Sequence, residues 1–483
     1  MRQTGLLGVL LLLAAVAPAE AARISELAGW DFSERAARFF SLQDPSLRYA
    51  LAGSILLGIC CGLMGTFLVV RKLALMGDAL SHAVLPGVAL GFLWSMTKNP
   101  LAIFIGAVVA GLLGAVVVQV IRSTTRHKED AALGFVLSSF FGVGIVLFTM
   151  IQNVPGGAKS GLDKFMFGQA AALGPGDVGL LAGVTVLALL AIVLFYKEYV
   201  VTSFDEGFAQ SLGLPVRFYH YSLMLLLAFA IVSALQAVGV VLVSAMLVIP
   251  AAAAFLLTDR MGWMLVLSAV FGMSAGVAGA FFSFTGRNLP TGPFMVLAAA
   301  AVFLLALLLA PRHGLLTRLW RRRSRAVRIR RENTLKAIYH VLEDEDFARE
   351  AVRVDEVAER RREPLAAAQR ELTDLRRAGY ATEDDGQITF TPEGWQRACE
   401  IVRNHRLWEL YLTNAARLAP DHVHEDAEVI EHVLGEETVR RLEKRLNYAH
   451  HDPHGKLIPG LADLAGGPGP VRRAVGSHGE GDA

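Results

Sequence analysis

The chain contains little cysteine and, over its first two thirds, little charge. Only three of its 483 residues are cysteines, at positions 60, 61 and 399. Adjacent cysteines make neither a CxxC site nor a good disulfide pair, so the sequence indicates no disulfide framework. Most charged residues follow residue 310, so the near balance of 46 basic against 44 acidic residues conceals two parts of different character.

A nucleotide-binding motif is also missing. Residues 156–160 (GGAKS) imitate the end of a phosphate loop, but Ala158 stands where that loop has glycine. We therefore expect that the chain binds no nucleotide and is not an enzyme. Any energy that its function needs would come from another chain or from an ion gradient.

Long apolar runs fill the first part of the chain. The whole chain is 54% hydrophobic and has a mean hydropathy of +0.45. Runs of about 20 apolar residues are long enough to cross a bilayer as helices. Nine runs are predicted as spans: 48–70, 75–96, 101–121, 131–151, 178–196, 219–237, 240–257, 263–284 and 294–310. The sequence thus predicts an all-α polytopic membrane domain over 48–310, followed by charged soluble sequence.

The distribution of basic residues predicts the orientation of these spans. Residues 1–22 have the short apolar core and small residues of a signal peptide, with an uncleaved signal anchor as the alternative. Residues 23–47 would then lie outside the cytoplasm. The positive-inside rule places the arginine-rich linker 311–330 and all that follows in the cytoplasm, provided that 219–257 crosses twice with a break near 236–239.

An acid and an imidazole lie within the second run, in the stretch 77–87, which reads GDALSHAVLPG. Ionisable groups inside a span are costly and mark ion pathways or ligand sites. Asp78 and His82 are four residues apart, so a helix places both on one face as plausible ligands for zinc, manganese or iron. The alternative is that Asp78 caps the helix at the membrane surface and His82 is a satisfied interface residue.

A short exposed helix is predicted between the fifth and sixth spans. Residues 202–215 read TSFDEGFAQSLGLP, an amphipathic pattern that we expect to be capped by Ser203 and to end at Gly213. A helix exposed between two spans is a natural docking surface for a soluble partner. An interfacial connector without a partner is the alternative.

The part after residue 330 has two predicted regions and a tail. A helix, a helix pair (354–362 and 365–377) and a hairpin at 380–391 give the order of a winged-helix domain over 331–392. Region 393–460 carries His and Glu at intervals of three, four and one, which places nitrogen and oxygen ligands on one helical face. A solvated charged face is the alternative there, and the Gly-rich tail 461–483 is expected to be disordered.

The first part resembles the membrane-spanning subunits of the ABC importers for manganese, zinc and iron. The resemblance rests on the stretch 77–87, on 204–215 and on Val-Ile-Pro-Ala at 248–251. It implies that Asp78 and His82 line the metal path and that an extracytoplasmic metal-binding protein delivers the ion. It also implies a second permease copy or paralogue in a bacterial inner membrane. The implied contacts with the ATPase are Phe204, Asp205, Glu206, Gly207, Gly213 and Leu214.

Residues 331–460 resemble the iron- and manganese-dependent repressors of the diphtheria-toxin-repressor family. The matching stretches are RNHRLWE at 403–409, VHEDAE at 423–428, EH at 431–432 and HGKLIPG at 454–460. The resemblance implies one regulatory metal site of Glu428, Glu431 and His432, and another of His405, Glu409 and His424. Glu428 replaces a sulfur ligand of some members, which favours manganese. A further ligand would fall near Asn333, which is a poor one.

The helix that would read DNA in this region, 365–377, is rich in alanine. Only Gln369, Arg370, Arg376 and Arg377 offer contacts to DNA, mostly to phosphate. The favoured hypothesis is therefore a metal importer permease, manganese before zinc or iron, with a cytoplasmic metal sensor that gates transport or binds DNA. The alternatives are a membrane-tethered transcription regulator and a secondary metal transporter.

Overall fold

The chain divides into two compact units, Met1–Arg318 and Leu319–Ala483. A computed structural model describes residues 32–95, 99–125, 129–153, 168, 170, 173–286, 289–415, 436–460 and 463. The predicted signal segment at 1–22 and nearly all of the predicted tail at 461–483 lie outside these residues. Each unit is described by itself below.

Helices make up the described part of the first unit. They are α1 (Phe32–Ser41), α2 (Pro45–Val70), α3 (Ala74–Ala83), α4 (Leu85–Ser95), α5 (Pro100–Thr124), α6 (Glu129–Gln152), α7 (Pro175–Leu194), α8 (Tyr196–Phe204), α9 (Glu206–Ser211), α10 (Val216–Val238), α11 (Val240–Leu257), α12 (Met261–Thr285) and α13 (Thr291–Leu309). Within the described residues, nine segments are long and apolar enough to cross a membrane, with α3 and α4 together forming one. The nine predicted spans are confirmed.

Two breaks between helices have identifiable causes. Gly239 adopts φ +86°, a conformation that favours glycine, and separates α10 from α11. The predicted break near 236–239 is therefore confirmed. The second span divides at Val84, just before Pro86, because proline has no N–H to bond to the carbonyl of His82.

Small residues bring α2 and α12 into backbone contact. A Cβ atom on Gly58 would lie 2.2 Å from the Gly272 carbonyl oxygen, and one on Gly276 would lie 2.3 Å from that of Ser54. Ser268 Oγ donates a hydrogen bond of 2.7 Å to the Gly62 carbonyl. Such close approach is typical of small residues spaced four apart in membrane helices, and α2 also packs against α7, α10 and α11.

Helix α1 was not anticipated from the sequence. Its Arg35 donates to the carbonyls of Phe284, Thr285 and Gly286 at 3.1–3.2 Å, which satisfies the C-terminal end of α12. Phe39 packs edge-on against Phe281. The segment before the first span is thus tied to the end of another span.

The second unit contains a small sheet among helices. Its described elements are α14 (Leu315–Asp344, which begins in the first unit), β1 (Ala351–Arg353), α15 (Val354–Arg361), α16 (Leu365–Arg377), β2 (Ala381–Asp384), β3 (Gln387–Phe390), α17 (Pro392–Ala415) and α18 (Glu436–Arg445). The antiparallel strands lie in the order β1-β3-β2, with Val352 opposite Ile388. Asp385 and Gly386 have φ of +45° and +72°, as a tight hairpin turn requires. The helix pair and the hairpin are as predicted. Strand β1 was not predicted, because three residues are too few to show the alternation of a strand.

Candidate functional sites

Asp78 and His82 both lie on α3, Asp78 in the middle of the helix and His82 in its last turn. The helix begins at Ala74 and its N-cap position is Leu73, so Asp78 is not the cap. The alternative that assigned Asp78 a capping role is therefore wrong. The acid and the imidazole are held one helical turn apart on a buried element.

The two side chains face each other without a direct hydrogen bond. His82 Nε2 lies 3.8 Å from Asp78 Oδ1, and the side chains are 15% and 37% exposed. The imidazole packs edge-on against the Phe141 ring, with 5.0 Å between centroids. Within the described chain, His82 Nδ1 is buried and has no hydrogen-bond partner. A buried polar atom without a partner is costly, so this imidazole is available to bind something that the chain itself does not supply.

Neighbouring spans hold α3 closely. It packs against α5, α6, α10 and α11, and a Cβ on Gly114 of α5 would come within 2.7 Å of Ala83 Cβ. Such close packing fixes the direction of the Asp78 and His82 side chains. Over the described ranges no group of three or more His, Cys, Asp or Glu residues is arranged for a metal ion.

The predicted docking helix is α9, and it is shorter than expected. Asp205, not Ser203, is its cap, because Asp205 Oδ1 accepts from the Phe208 N–H at 2.9 Å. Ser203 lies in the preceding helix α8, where its hydroxyl accepts from Arg71 Nε at 3.0 Å. Gly213, at φ +75°, terminates the segment as predicted.

Three large apolar side chains are exposed along this segment. Phe204, Phe208 and Leu212 are 66%, 54% and 57% exposed and recur every four residues. We call these three residues the docking surface. Arg71 at the end of the first span also bonds Thr202 Oγ1 at 3.3 Å and lies 3.2 Å from His220 Nδ1. The docking surface is therefore attached firmly to the spans behind it.

His405 and Glu409 of the second unit lie on α17 and are buried, at 4% and 3% exposed. His405 Nε2 is 3.1 Å from Glu409 Oε1. His405 Nδ1 is 3.0 Å from the ammonium Nζ of Lys336 on α14, a contact that sequence analysis did not anticipate. The other predicted ligands lie outside the described residues: His424, Glu428, Glu431 and His432.

A buried arginine lies next to His405. Arg406 is 2% exposed and donates to Glu343 Oε2 and to the Leu457 carbonyl, both at 2.6 Å. Burial raises the pKa of the Glu343 carboxyl, but hydrogen bonds from His340 and Arg406 outweigh it and hold that pKa at about 2. The charged Glu343 thus links α14, α17 and the loop around Leu457.

The predicted DNA contacts all lie on α16 and are exposed, but the arginines have protein partners. Arg370 Nε donates to the Ala366 carbonyl at 2.9 Å, and Arg376 donates to Glu383 of β2 at 3.1 Å. Arg377 lies 3.8 Å from Asp374. Gln369 is the fourth contact, an exposed amide on the same helix.

The tip of the hairpin is acidic, which the sequence showed and our prediction did not use. Glu383, Asp384 and Asp385 are consecutive and exposed. Carboxylates at this position repel a phosphate backbone, so the hairpin is poorly suited to touch DNA. Of the arginines on α16, Arg376 and Arg377 lie beside acids, Glu383 and Asp374, whereas the carbonyl partner of Arg370 leaves its positive charge in place.

Nine apolar spans among the described residues, one of which carries the partly buried pair Asp78 and His82, define a polytopic membrane protein of the transporter class. Residues 43–310 match the ABC 3 transport family. This match covers more than half of the chain, so the chain belongs to that family. Residues 391–460 match a second family, the iron dependent repressor, metal binding and dimerisation domain.

Relatives and a solved structure agree with this assignment. The chain is 39% identical over 382 residues to the manganese transport system membrane protein MntC of Bacillus subtilis, covering 79% of this chain and 87% of that protein. It is 32% identical over 439 residues to a probable metal transport system membrane protein of Chlamydia trachomatis, covering 86% and 97%. The structure of PsaBC from Streptococcus pneumoniae in complex with Fab is 39% identical, with TM-score 0.53, over 57% of this chain and 97% of that one.

The similarity to two of these relatives reaches beyond the first unit. Alignments of 382 and 439 residues are longer than the 318 residues of Met1–Arg318, so both continue into the second unit. At least part of the second unit is therefore similar to membrane proteins of metal transport systems. The chain is a permease-type transport subunit that carries a repressor-like domain.

Proposed function

We propose that the chain is the transmembrane permease subunit of an ATP-binding cassette importer for a divalent transition metal, with manganese favoured over zinc and iron. The observation that carries this proposal is the Asp78–His82 pair inside a span, with His82 Nε2 facing Asp78 Oδ1 at 3.8 Å. The transported metal is the substrate, and it binds between these two side chains. The names of the manganese relatives support the preference for manganese.

The geometry of the pair suits a metal ligand set. Protein nitrogen and oxygen ligands lie about 2.1 Å from a metal such as zinc, so two ligands at a tetrahedral angle stand about 3.4 Å apart. The 3.8 Å between His82 Nε2 and Asp78 Oδ1 needs only a small closure to reach this separation. A pair alone holds a metal weakly, which suits an ion that must be released. Water or a second permease copy completes the coordination.

Energy is supplied by a separate ATPase subunit, which seats on the docking surface. Three exposed apolar side chains on a rigid cytoplasmic segment support this assignment, because large apolar side chains on a soluble face mark sites of protein contact. An extracytoplasmic metal-binding protein delivers the ion from the other side. This arrangement places the chain in the bacterial inner membrane, with the second unit in the cytoplasm.

The second unit regulates transport rather than transcription. The acidic hairpin tip and the paired arginines of α16 support gating over DNA binding. We retain His424, Glu428, Glu431 and His432 as candidate regulatory ligands on the resemblance alone. Among the described residues, His405 does not fit a metal site, because Lys336 already contacts it.

Disturbing α9 should uncouple the ATPase without unfolding the spans. Gly207→Arg adds a bulky charge beside the docking surface, and a Cβ there would meet only Asp205 Oδ1, at 3.4 Å. Glu206→Lys reverses an exposed charge on the same helix. We expect the amount of ATPase that co-purifies with the detergent-solubilised chain to fall about tenfold or more, which corresponds to about 1.4 kcal/mol of binding.

Ser123→Arg provides a matched control, because it adds the same charge at an exposed position in the last turn of α5, on the proposed cytoplasmic side. This variant should retain the ATPase. Normal co-purification and normal metal-stimulated ATP hydrolysis in both α9 variants would show that the ATPase does not bind at the docking surface. Failure of the unaltered chain to bring down any ATPase would count against the importer itself.

A further inference from the structure

A buried ammonium group occupies the second unit beside the predicted ligands His405 and Glu409. Lys336 is 8% exposed, and its Nζ lies 3.0 Å from His405 Nδ1. On the other side of the ring, His405 Nε2 lies 3.1 Å from Glu409 Oε1. Ammonium, imidazole and carboxylate therefore form a row in the interior.

The ammonium fixes the hydrogen-bonding roles of the imidazole. A lysine ammonium only donates, so His405 Nδ1 accepts. A neutral imidazole with an accepting Nδ1 carries its proton on Nε2, which here faces the Glu409 carboxylate. The lone pair that a metal would need is the one that Lys336 already uses.

A metal at either nitrogen of His405 would conflict with Lys336. A metal bound about 2.1 Å from Nδ1 would lie almost where the ammonium is, since Nζ is only 3.0 Å from the same nitrogen. Binding at Nε2 would require the proton to move to Nδ1, where the N–H would point at the ammonium. In both cases the positive charge of Lys336 also repels the metal.

The same two helices are joined on either side of Lys336. Arg397 of α17 lies 2.5 Å from Glu332 of α14, and Arg406 of α17 lies 2.6 Å from Glu343 of α14. Lys336 and His405 form a third contact between these two pairs. These three side-chain contacts hold α14 against α17.

We propose that Lys336 is a built-in cation that takes the place of a metal at His405 and Glu409. The ammonium keeps α14 against α17 at any cytosolic manganese concentration, so this pair gives no metal response. The unit has kept the buried ligand pair of a metal-dependent repressor domain but has made it independent of metal. The inference holds whether or not the chain imports metal.

The test measures manganese binding by the full chain in detergent. Asp78→Asn and His82→Ala are included in every variant, so that the transport pair adds no binding. In this parent, His405→Ala should change the bound ⁵⁴Mn²⁺ in equilibrium dialysis less than about twofold. Lys336→Glu replaces the ammonium by a carboxylate and should tighten binding about tenfold or more, a gain that His405→Ala should abolish.

Two further variants keep the test decisive. Lys336→Gln removes the charge but can still donate to His405 Nδ1, so it should fold even where Lys336→Glu does not, and it should show a smaller His405-dependent gain. Lys456→Gln removes a partly exposed lysine of the same unit and should change nothing. The proposal is overturned if His405→Ala weakens manganese binding of the parent about tenfold, or if neither Lys336 variant gains His405-dependent binding.

Discussion

Manganese uptake by cells that depend on this chain should fall to background in the Asp78→Asn and His82→Ala variants. Asparagine keeps the shape of the acid but loses the negative charge that offsets a divalent cation, and alanine removes the nitrogen ligand. Neither change leaves a new buried charge, and His82 Nδ1 has no partner to lose within the described structure. We therefore expect near-normal amounts of protein in the membrane and a loss of uptake of about a hundredfold, because even changes to groups that only orient a metal ligand typically cost 10- to 100-fold.

Asp44→Asn is the matched control for the change of acid to amide. Asp44 pairs with Arg38 at the surface, where an ion pair contributes about 0–1 kcal/mol. This variant should transport normally. Uptake of ⁵⁴Mn²⁺ and immunoblots of isolated membranes measure the two quantities separately. If protein amount and uptake fall in parallel in the Asp78 and His82 variants, the pair has a structural role instead.

The membrane domain could be predicted from the sequence because each span can be recognised on its own. Each span is a long apolar run, and Gly239 and Pro86 break the helices by backbone chemistry that depends only on the residue itself. The apolar pattern did not fix the position of Asp78 within its helix. An acid near the start of an apolar run can cap a helix or lie inside it, and only the start of α3 at Ala74 decided the matter.

The details of the sites depend on contacts that the sequence does not display. Ser203 and Asp205 are both good caps by composition, and α8 continues to Phe204, which leaves Asp205 as the cap. Lys336 and His405 are 69 residues apart, so no local pattern joins them. A lysine at a buried helical position was the one available signal, because lysine is rarely buried without a partner.

Gly272→Leu should prevent the bundle from assembling. A Cβ on Gly272 would lie 2.1 Å from the Gly58 carbonyl oxygen, and one on Gly58 would meet Gly272 at 2.2 Å, so both backbones are already in contact. In a membrane, helices associate through this kind of close packing rather than through a hydrophobic driving force. Separation of α2 from α12 would also lengthen the hydrogen bond from Ser268 to the Gly62 carbonyl. We therefore expect overpacking to destabilise the helix bundle by about 3 kcal/mol or more.

Gly134→Leu is the matched control, because a Cβ at Gly134 of α6 would meet nothing within 4 Å. It adds the same apolar side chain to a span without a clash. We expect the amount of Gly272→Leu protein extracted as a monodisperse species to fall below about a tenth of normal, since about 1.4 kcal/mol already changes a population tenfold. Gly134→Leu should be extracted normally, and Gly272→Ala should fall in between because its single Cβ still meets Gly58. Normal yield and normal metal uptake by Gly272→Leu would show that α2 and α12 do not make this backbone contact.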